Sequence, residues 1–313
     1  MTAAATAMPR RSDVGEIIAH NNTFDTIIEP RILQDYQMKI KAVKTCKISR
    51  VVVGLSLLFL SLCASAKADA TSLPPSILAT KTITFCSAMT QPPFEFYDKK
   101  LKPEGVDIEM GELLASQLGL SVKWINVPFA GVIPALLAKH CDAVLSGLNI
   151  TPNRLQMVDM VPYRFAGSTV LLKAGAPKLP GVEALTGKKV AVVTGTAASL
   201  VLSQTNDALL KEGKSPITLV TFSDNATALQ QLQFGQVDAF GVAYETATYY
   251  DQIDPGQFEF GVPIFHKVRD GIAVRKDDTG LRLALASALS AVMKNNSYNT
   301  IYQKWHIGFD VLN

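Results

Sequence analysis

The chain of 313 residues carries 30 Lys+Arg against 27 Asp+Glu, a net charge of +3, and 48% of its residues are hydrophobic. Residues 1–70 hold nine basic and six acidic residues, which is the whole excess, and the remainder holds 21 of each. That neutral balance excludes a bulk attraction to nucleic acid or to an anionic membrane, and the length suffices for one large core or two moderate ones.

Met38 to Ala70 reads as an export signal. Lys39, Lys41, Lys44, Lys47 and Arg50 form a basic segment, Val51 to Leu62 a short apolar run, and Ala66-Lys67-Ala68 and Ala68-Asp69-Ala70 two small-x-small cleavage sites. The apolar run is shorter than the ~20 residues that span a bilayer, so cleavage near Ala68 or Ala70 and release to the periplasm is expected, not a membrane anchor. Leu60-Ser61-Leu62-Cys63 resembles a lipid-attachment box only faintly, because Leu62 is bulky where a small residue belongs. Residues 1–37 show no steady periodicity and Met38 is a candidate initiator, so they read as a non-native or disordered extension.

The elements then follow in order. Lys81 to Ser87 reads as a buried strand, Ile108 to Leu118 as a helix closed by Gly119, Val122 to Val127 as a strand, Phe129 to Lys139 as a short helix and Ala143 to Gly147 as a strand. A second module repeats this: strand Lys189 to Val193, helix Ala197 to Glu212, strand Ile217 to Phe222, helix Asn225 to Phe234, strand Val237 to Val242. Two β-α-β-α-β modules predict an α/β protein of two lobes, each a mostly parallel sheet with flanking helices. The tail, Gly271 to Arg275 with helices at Thr279 to Lys294 and Tyr298 to Trp305, has no third module to join and is expected back on the first lobe. The chain then crosses twice, near Ser168 to Leu172 and near Ile264 to Asp270, which makes a two-strand hinge with a ligand cleft between the lobes. The expected extents are 79–169 plus 268–313 for lobe 1 and 170–267 for lobe 2.

Of four cysteines, Cys46 and Cys63 lie in the leader. An oxidising compartment allows Cys86 and Cys141 to pair. Both are expected on strands, however, offset along a parallel ladder, so two buried free thiols are the favoured reading. The four histidines are scattered and no Cys/His ligand spacing occurs, so no metal site and no cofactor are expected. Gly181 to Lys188 has one residue too many for a phosphate loop and reads as a turn; Tyr298, Tyr302 and Trp305 read as helix packing.

The sharpest polar cluster is Ser146-Gly147-Leu148-Asn149-Ile150-Thr151-Pro152-Asn153-Arg154. A strand runs out into small and polar residues, Thr151 caps the next helix with Pro152 at its first position, and Arg154 sits in the first turn. Backbone N–H groups and a guanidinium converge there, which suits a carboxylate. An exposed arginine on an ordinary helix start is the competing reading, since helix N-termini disfavour cations. Thr194-Gly195-Thr196-Ala197-Ala198-Ser199 is the second module's counterpart, and is otherwise a generic strand-to-helix turn.

The order of elements resembles the bacterial extracellular solute-binding protein family 3, the polar amino-acid receptors of ABC importers. Pro93-Phe94-Glu95-Phe96, Glu104 to Ile108, Phe129 to Leu136 with Cys141-Asp142-Ala143, Ile150-Thr151 with Arg154, Leu185 to Val193, Gly195-Thr196, Gly235 to Ala239 and Tyr298 to Trp305 carry the resemblance. It implies an amino acid or related small carboxylate as ligand, permease subunits in the inner membrane as partners, and a monomer. It assigns Arg154 to the ligand's α-carboxylate, Ser146, Gly147 and Asn149 to the carboxylate and ammonium, and Gly195, Thr196 and Ala197 to the closing loop. Phe129 packs on the ligand, and Gln91 and Phe94 flank it. The chain departs from the pattern at Gln91, where an aromatic is common, and at Ala197, where a hydroxyl residue is common. It departs most at Ala243, which stands where an aspartate usually takes the α-ammonium. Two outcomes stay open: Glu245 substitutes, or the ligand lacks a standard α-amino group.

No GxSxG, HExxH or Cys/His pairing points to an enzyme. The rival reading is a cyclohexadienyl- or prephenate-type dehydratase on the same fold, with Asp107, Glu95 or Glu245 as general acid, although nothing in the sequence pairs them. A sensor or partner-binding domain is a weaker third reading.

Overall fold

The computed structural model describes residues 73–307. The expected export signal, its cleavage sites and Cys63 lie outside these residues. After helix α1 (Pro75–Thr80), strand β1 (Thr82–Ser87) leads into a small antiparallel sheet of β2 (Thr90–Gln91), β3 (Glu95–Tyr97) and β4 (Pro103–Glu104). Helix α2 (Val106–Gln117) follows, then β5 (Ser121–Asn126), a 3₁₀ turn (Phe129–Gly131) running into α3 (Val132–Leu137), and β6 (Ala143–Val144). The parallel ladder β5-β1-β6 is the first expected module. Its third strand is shorter than expected, because 145–150 run out past the sheet toward the cleft.

Helix α4 (Pro152–Met157) then enters β7 (Val158–Lys173), a strand of 16 residues. The second module comprises β8 (Lys189–Val193), α5 (Ala197–Lys211), β9 (Thr218–Phe222), α6 (Asn225–Gln233) and β10 (Ala239–Ala243). Helix α7 (Tyr244–Ile253), β11 (Phe258–Phe260) and β12 (Phe265–Arg275) return the chain, and α8 (Thr279–Lys294) and α9 (Ser297–Lys304) end it.

Two long strands join the halves. The first half of β7 pairs antiparallel with β12 from Val158 to Ala166, and its second half pairs with β10 and β11 from Ser168 to Lys173. The strand order β5-β1-β6-β12-β7-β10-β8-β9 is therefore one hydrogen-bonded path through two modules. The β7–β12 register breaks between Phe265 and Val268 and again between Asp270 and Gly271. Such irregularities are where paired strands bend most easily.

Each module has a core on both faces of its sheet. In the first, Ile83, Phe85, Met110 and Leu114 pack with Leu281, Leu285, Tyr298 and Ile301, so the tail helices complete lobe 1. In the second, Ala191, Leu229 and Phe240 form one face and Val190, Val192 and Leu202 the other. Among the described residues no helix is long and apolar enough to cross a membrane.

One expectation is overturned. Cys86 and Cys141 form a disulfide with their Cα atoms 5.7 Å apart, not two free thiols. Cys141 is not on a strand: β6 begins at Ala143, and Cys141 sits in the turn before it, held by Arg275 Nη1 donating to its carbonyl at 2.8 Å. Freed from the ladder, its side chain can approach Cys86.

Candidate functional site

Helix α4 sets the position of Arg154. The Thr151 hydroxyl accepts from the Arg154 N–H at 3.3 Å, and Pro152 occupies the first turn, where no donor is lost. From there Arg154 Nη1 donates to Asn149 O at 2.8 Å and Nη2 to Gly195 O at 3.0 Å. Its guanidinium lies 5.7 Å from the centroid of the Phe129 ring. The group thus bridges the end of the first module to the turn after β8. A second bond crosses the same way, from Asn225 Nδ2 at the start of α6 to Thr90 O in β2 at 3.1 Å.

Between these contacts lies a narrow cleft, with a cavity volume of about 30 Å³. Gln91, Phe129, Gly147, Asn149, Thr196, Ala197 and Ala243 line it, all of them expected from the sequence. Thr196 opens α5, its hydroxyl accepting from Ser199 N–H and donating to Val193 O. Gly195 beside it has φ +82°, a left-handed conformation that a side chain would disfavour. Gly147, with φ +52°, also keeps the wall thin: a Cβ there would meet the Gln91 amide at 3.1 Å.

Other expected groups turn away from the cleft. The Ser146 hydroxyl donates to Glu95 Oε1 at 2.8 Å and accepts from Ala88 N–H, and Gly147 N–H donates to Asp107 Oδ2 at 2.9 Å. Both serve buried carboxylates that need donors inside the protein. Phe94 is fully buried beneath the Arg164 guanidinium, 3.6 Å from its ring centroid. Glu245 lines a separate cleft with Pro93, Tyr244 and Trp305, and its carboxylate accepts from Gly167 N–H at 3.3 Å.

The structure does pair the acids that the sequence left unpaired. Glu95 and Asp107 are both fully buried, with Tyr163 OH donating to Asp107 Oδ2 at 2.8 Å. Burial pushes Asp107 up to about 6, against the pull of Arg164 and its hydrogen bonds. Burial, reinforced by Asp107, holds Glu95 well above the usual carboxylate range. Neither residue lines the cleft.

Arg164 and Asp270 are the charged cleft residues that sequence reasoning missed, along with the uncharged Ala166, Gly167, Ser168, Ala198, Asn225, Gly241 and Val242. The two charged residues face each other across the β7–β12 ladder, with Arg164 Nη2 2.5 Å from Asp270 Oδ2, and both are essentially inaccessible. Arg164 Nη1 also stands 3.7 Å from Glu245 Oε1. Asp270 Oδ1 accepts from Asn149 Nδ2 at 2.6 Å. Burial raises the Asp270 carboxyl, opposed by Arg164, Asn149 and Arg154. The available signal was the single charge of Arg164 inside the largely apolar run Met160 to Leu172; Asp270, beside Arg269 and Lys267, does not stand out in the sequence. Among the described residues no group of His, Cys, Asp and Glu is placed to hold a metal.

This fold, two modules of parallel strands and helices joined by two long strands, has counterparts among known proteins. Residues 83–308 match the family model described as bacterial extracellular solute-binding proteins, family 3. The chain belongs to that family. The chain is similar to the ABC transporter arginine-binding protein 1 of Escherichia coli K12, at 28% identity over 236 residues, 72% of this chain and 91% of that protein. Among solved structures, a mutant of the T. maritima protein ArgBP superposes with a TM-score of 0.68 at 29% identity, covering 74% of this chain and 97% of that one. The ancestral amino acid-binding protein AncCDT-1, a precursor of cyclohexadienyl dehydratase, superposes with a TM-score of 0.66 at 32% identity, covering 74% and 97%.

Proposed function

We propose that this chain is the extracytoplasmic receptor of an ABC importer, trapping an amino acid or a closely related small carboxylate between its lobes. The observation that carries the reading is Arg154, which lies beside the cleft residues Phe129 and Asn149 of a family-3 chain and bonds to the backbone of both modules, at Asn149 and Gly195. A guanidinium has five N–H donors, and two are engaged by Asn149 and Gly195, so three stay free for a ligand carboxylate. A ligand held by both lobes binds the closed form better than the open one, which is what shifts the equilibrium toward closure. The relatives named above for arginine and amino-acid binding support this class of ligand.

The same reading takes residues 79–169 and 268–313 as lobe 1 and 170–267 as lobe 2. Gln91, Phe129, Asn149, Thr196, Ala197 and Ala243 contact the ligand from the cleft wall. The protein acts outside the cytoplasm after removal of residues up to Ala68 or Ala70, without lipid at Cys63, as a monomer that docks on permease subunits. Binding without turnover is the favoured activity, because Glu95, Asp107 and Glu245, the general acids that the dehydratase reading calls on, stand outside the cleft.

A thermal-shift screen of amino acids, opines and small carboxylic acids tests this, since a ligand raises the unfolding temperature with its concentration. The expected result is at least one hit recovered unchanged after incubation. Conversion of the hit to product would favour a dehydratase, and a screen without any stabilising compound would refute the reading.

A further inference from the structure

Ala243 poses a specific problem. A ligand ammonium buried without a counter-charge is costly, and at Ala243, the position that the resemblance assigns to the ammonium, this cleft presents a methyl group. Glu245, the nearest acid in sequence, lines a different cleft. Among the residues that line the ligand cleft, Asp270 is the one acid.

The position of Asp270 is set by Asn149. The Asn149 carbonyl accepts from Arg154 Nη1, while its side-chain amide donates to Asp270 Oδ1. One residue therefore holds a cation through its main chain and an anion through its side chain. The backbone fixes the pair further, because Ile150 N–H donates to Arg269 O and Gly271 N–H to Leu148 O, at 2.8 and 3.0 Å. An α-amino acid is a zwitterion whose carboxylate and ammonium are separated by one carbon, so it needs a guanidinium and a carboxylate side by side.

We propose that Asp270, on the hinge strand β12, receives the ligand's α-ammonium. The inference rests on the receptor reading above. Asp270 has the capacity: a carboxylate offers about four acceptor positions, and Asn149 and Arg164 take one each. Arg164 is the positioning residue, locked over Phe94 and aimed at Asp270 Oδ2. The burial that raises the Asp270 carboxyl fits a charge completed by a cation from the ligand. Because β12 is one of the two strands joining the lobes, amine binding then acts directly on the hinge.

The test titrates the twenty L-amino acids and their 2-hydroxy counterparts into the wild type and into Asp270→Asn. The wild type should prefer its amino acid over the matching hydroxy acid, and Asp270→Asn should lower amino-acid affinity about 100-fold while changing the hydroxy acid less than about threefold. Equal loss for both, or loss for neither, overturns the inference. A wild type that binds the hydroxy acid as tightly as the amino acid overturns it too and leaves the receptor standing. A wild type that binds no member of either series refutes both. If Asp270→Asn does not fold, Arg164→Gln/Asp270→Asn, neutral at both positions, serves for the same comparison with the same outcomes.

Discussion

Arg154 Nη2 donates to the Gly195 carbonyl at 3.0 Å, joining the helix start after β6 to the turn after β8. Through this bond a single side chain senses whether the two modules are together. In the proposed reading the same guanidinium holds the ligand's carboxylate, so that ligand capture and closure share one residue. The contact is part of a cluster in which Asn149 links Arg154 to Asp270, and Asp270 links to Arg164 on the neighbouring strand.

The buried pair Arg164–Asp270 predicts a large and asymmetric response to mutation. Arg164→Met leaves Asp270 without its cation and should cost about 3–5 kcal/mol in urea unfolding. Arg164→Met/Asp270→Leu, which removes both charges, should recover most of that loss. A single variant as stable as wild type would show that the pair is not desolvated in the folded protein.

The Cys86–Cys141 disulfide closes a loop with a sequence separation of 55, for which the chain-entropy relation gives about 4 kcal/mol. Reduction, or Cys86→Ser/Cys141→Ser, should lower the unfolding free energy by about 2–4 kcal/mol, allowing for strain and residual structure in the unfolded chain. The check is a denaturant titration with and without reductant alongside a thiol count. An unchanged midpoint in fully reduced protein contradicts the prediction.

Asp107 predicts the direction of a pH dependence. Its carboxyl stands at about 6 in the folded protein against 3.8 unfolded. The unfolded chain therefore loses this proton first as pH rises, and the stability present below about pH 4 declines through about pH 6. The difference is on the order of 3 kcal/mol at neutral pH. Asp107→Asn should flatten stability over that window. Glu95, also raised, contributes a decline of the same sign, and the part caused by its own burial remains in the variant.

Regular features were legible in the sequence because they follow from periodicity and punctuation. The strand Lys189–Val193 and the helix Thr279–Lys294 have the expected bounds, since apolar spacing and flanking polar residues mark both ends. The tail helices pack on the first lobe as expected, because they carry the complementary apolar faces. What was not legible depends on pairing between distant segments. The 16 residues of β7 look like a short crossing until β12, β10 and β11 are laid beside them. The disulfide was misjudged because Cys141 belongs to a turn whose shape depends on Arg275, 134 residues away. Ser146 illustrates the limit at the site: its place at the strand end was readable, but only the fold shows its hydroxyl committed to Glu95.

The most direct test of the receptor account is calorimetric titration of the screened ligand into wild type and Arg154→Ala. Loss of a charge-assisted carboxylate contact and of the bond that spans the cleft should weaken binding about 100-fold or more, while the unliganded variant stays folded. Affinity within about twofold of wild type, with the variant folded, would contradict the claim that Arg154 anchors the ligand.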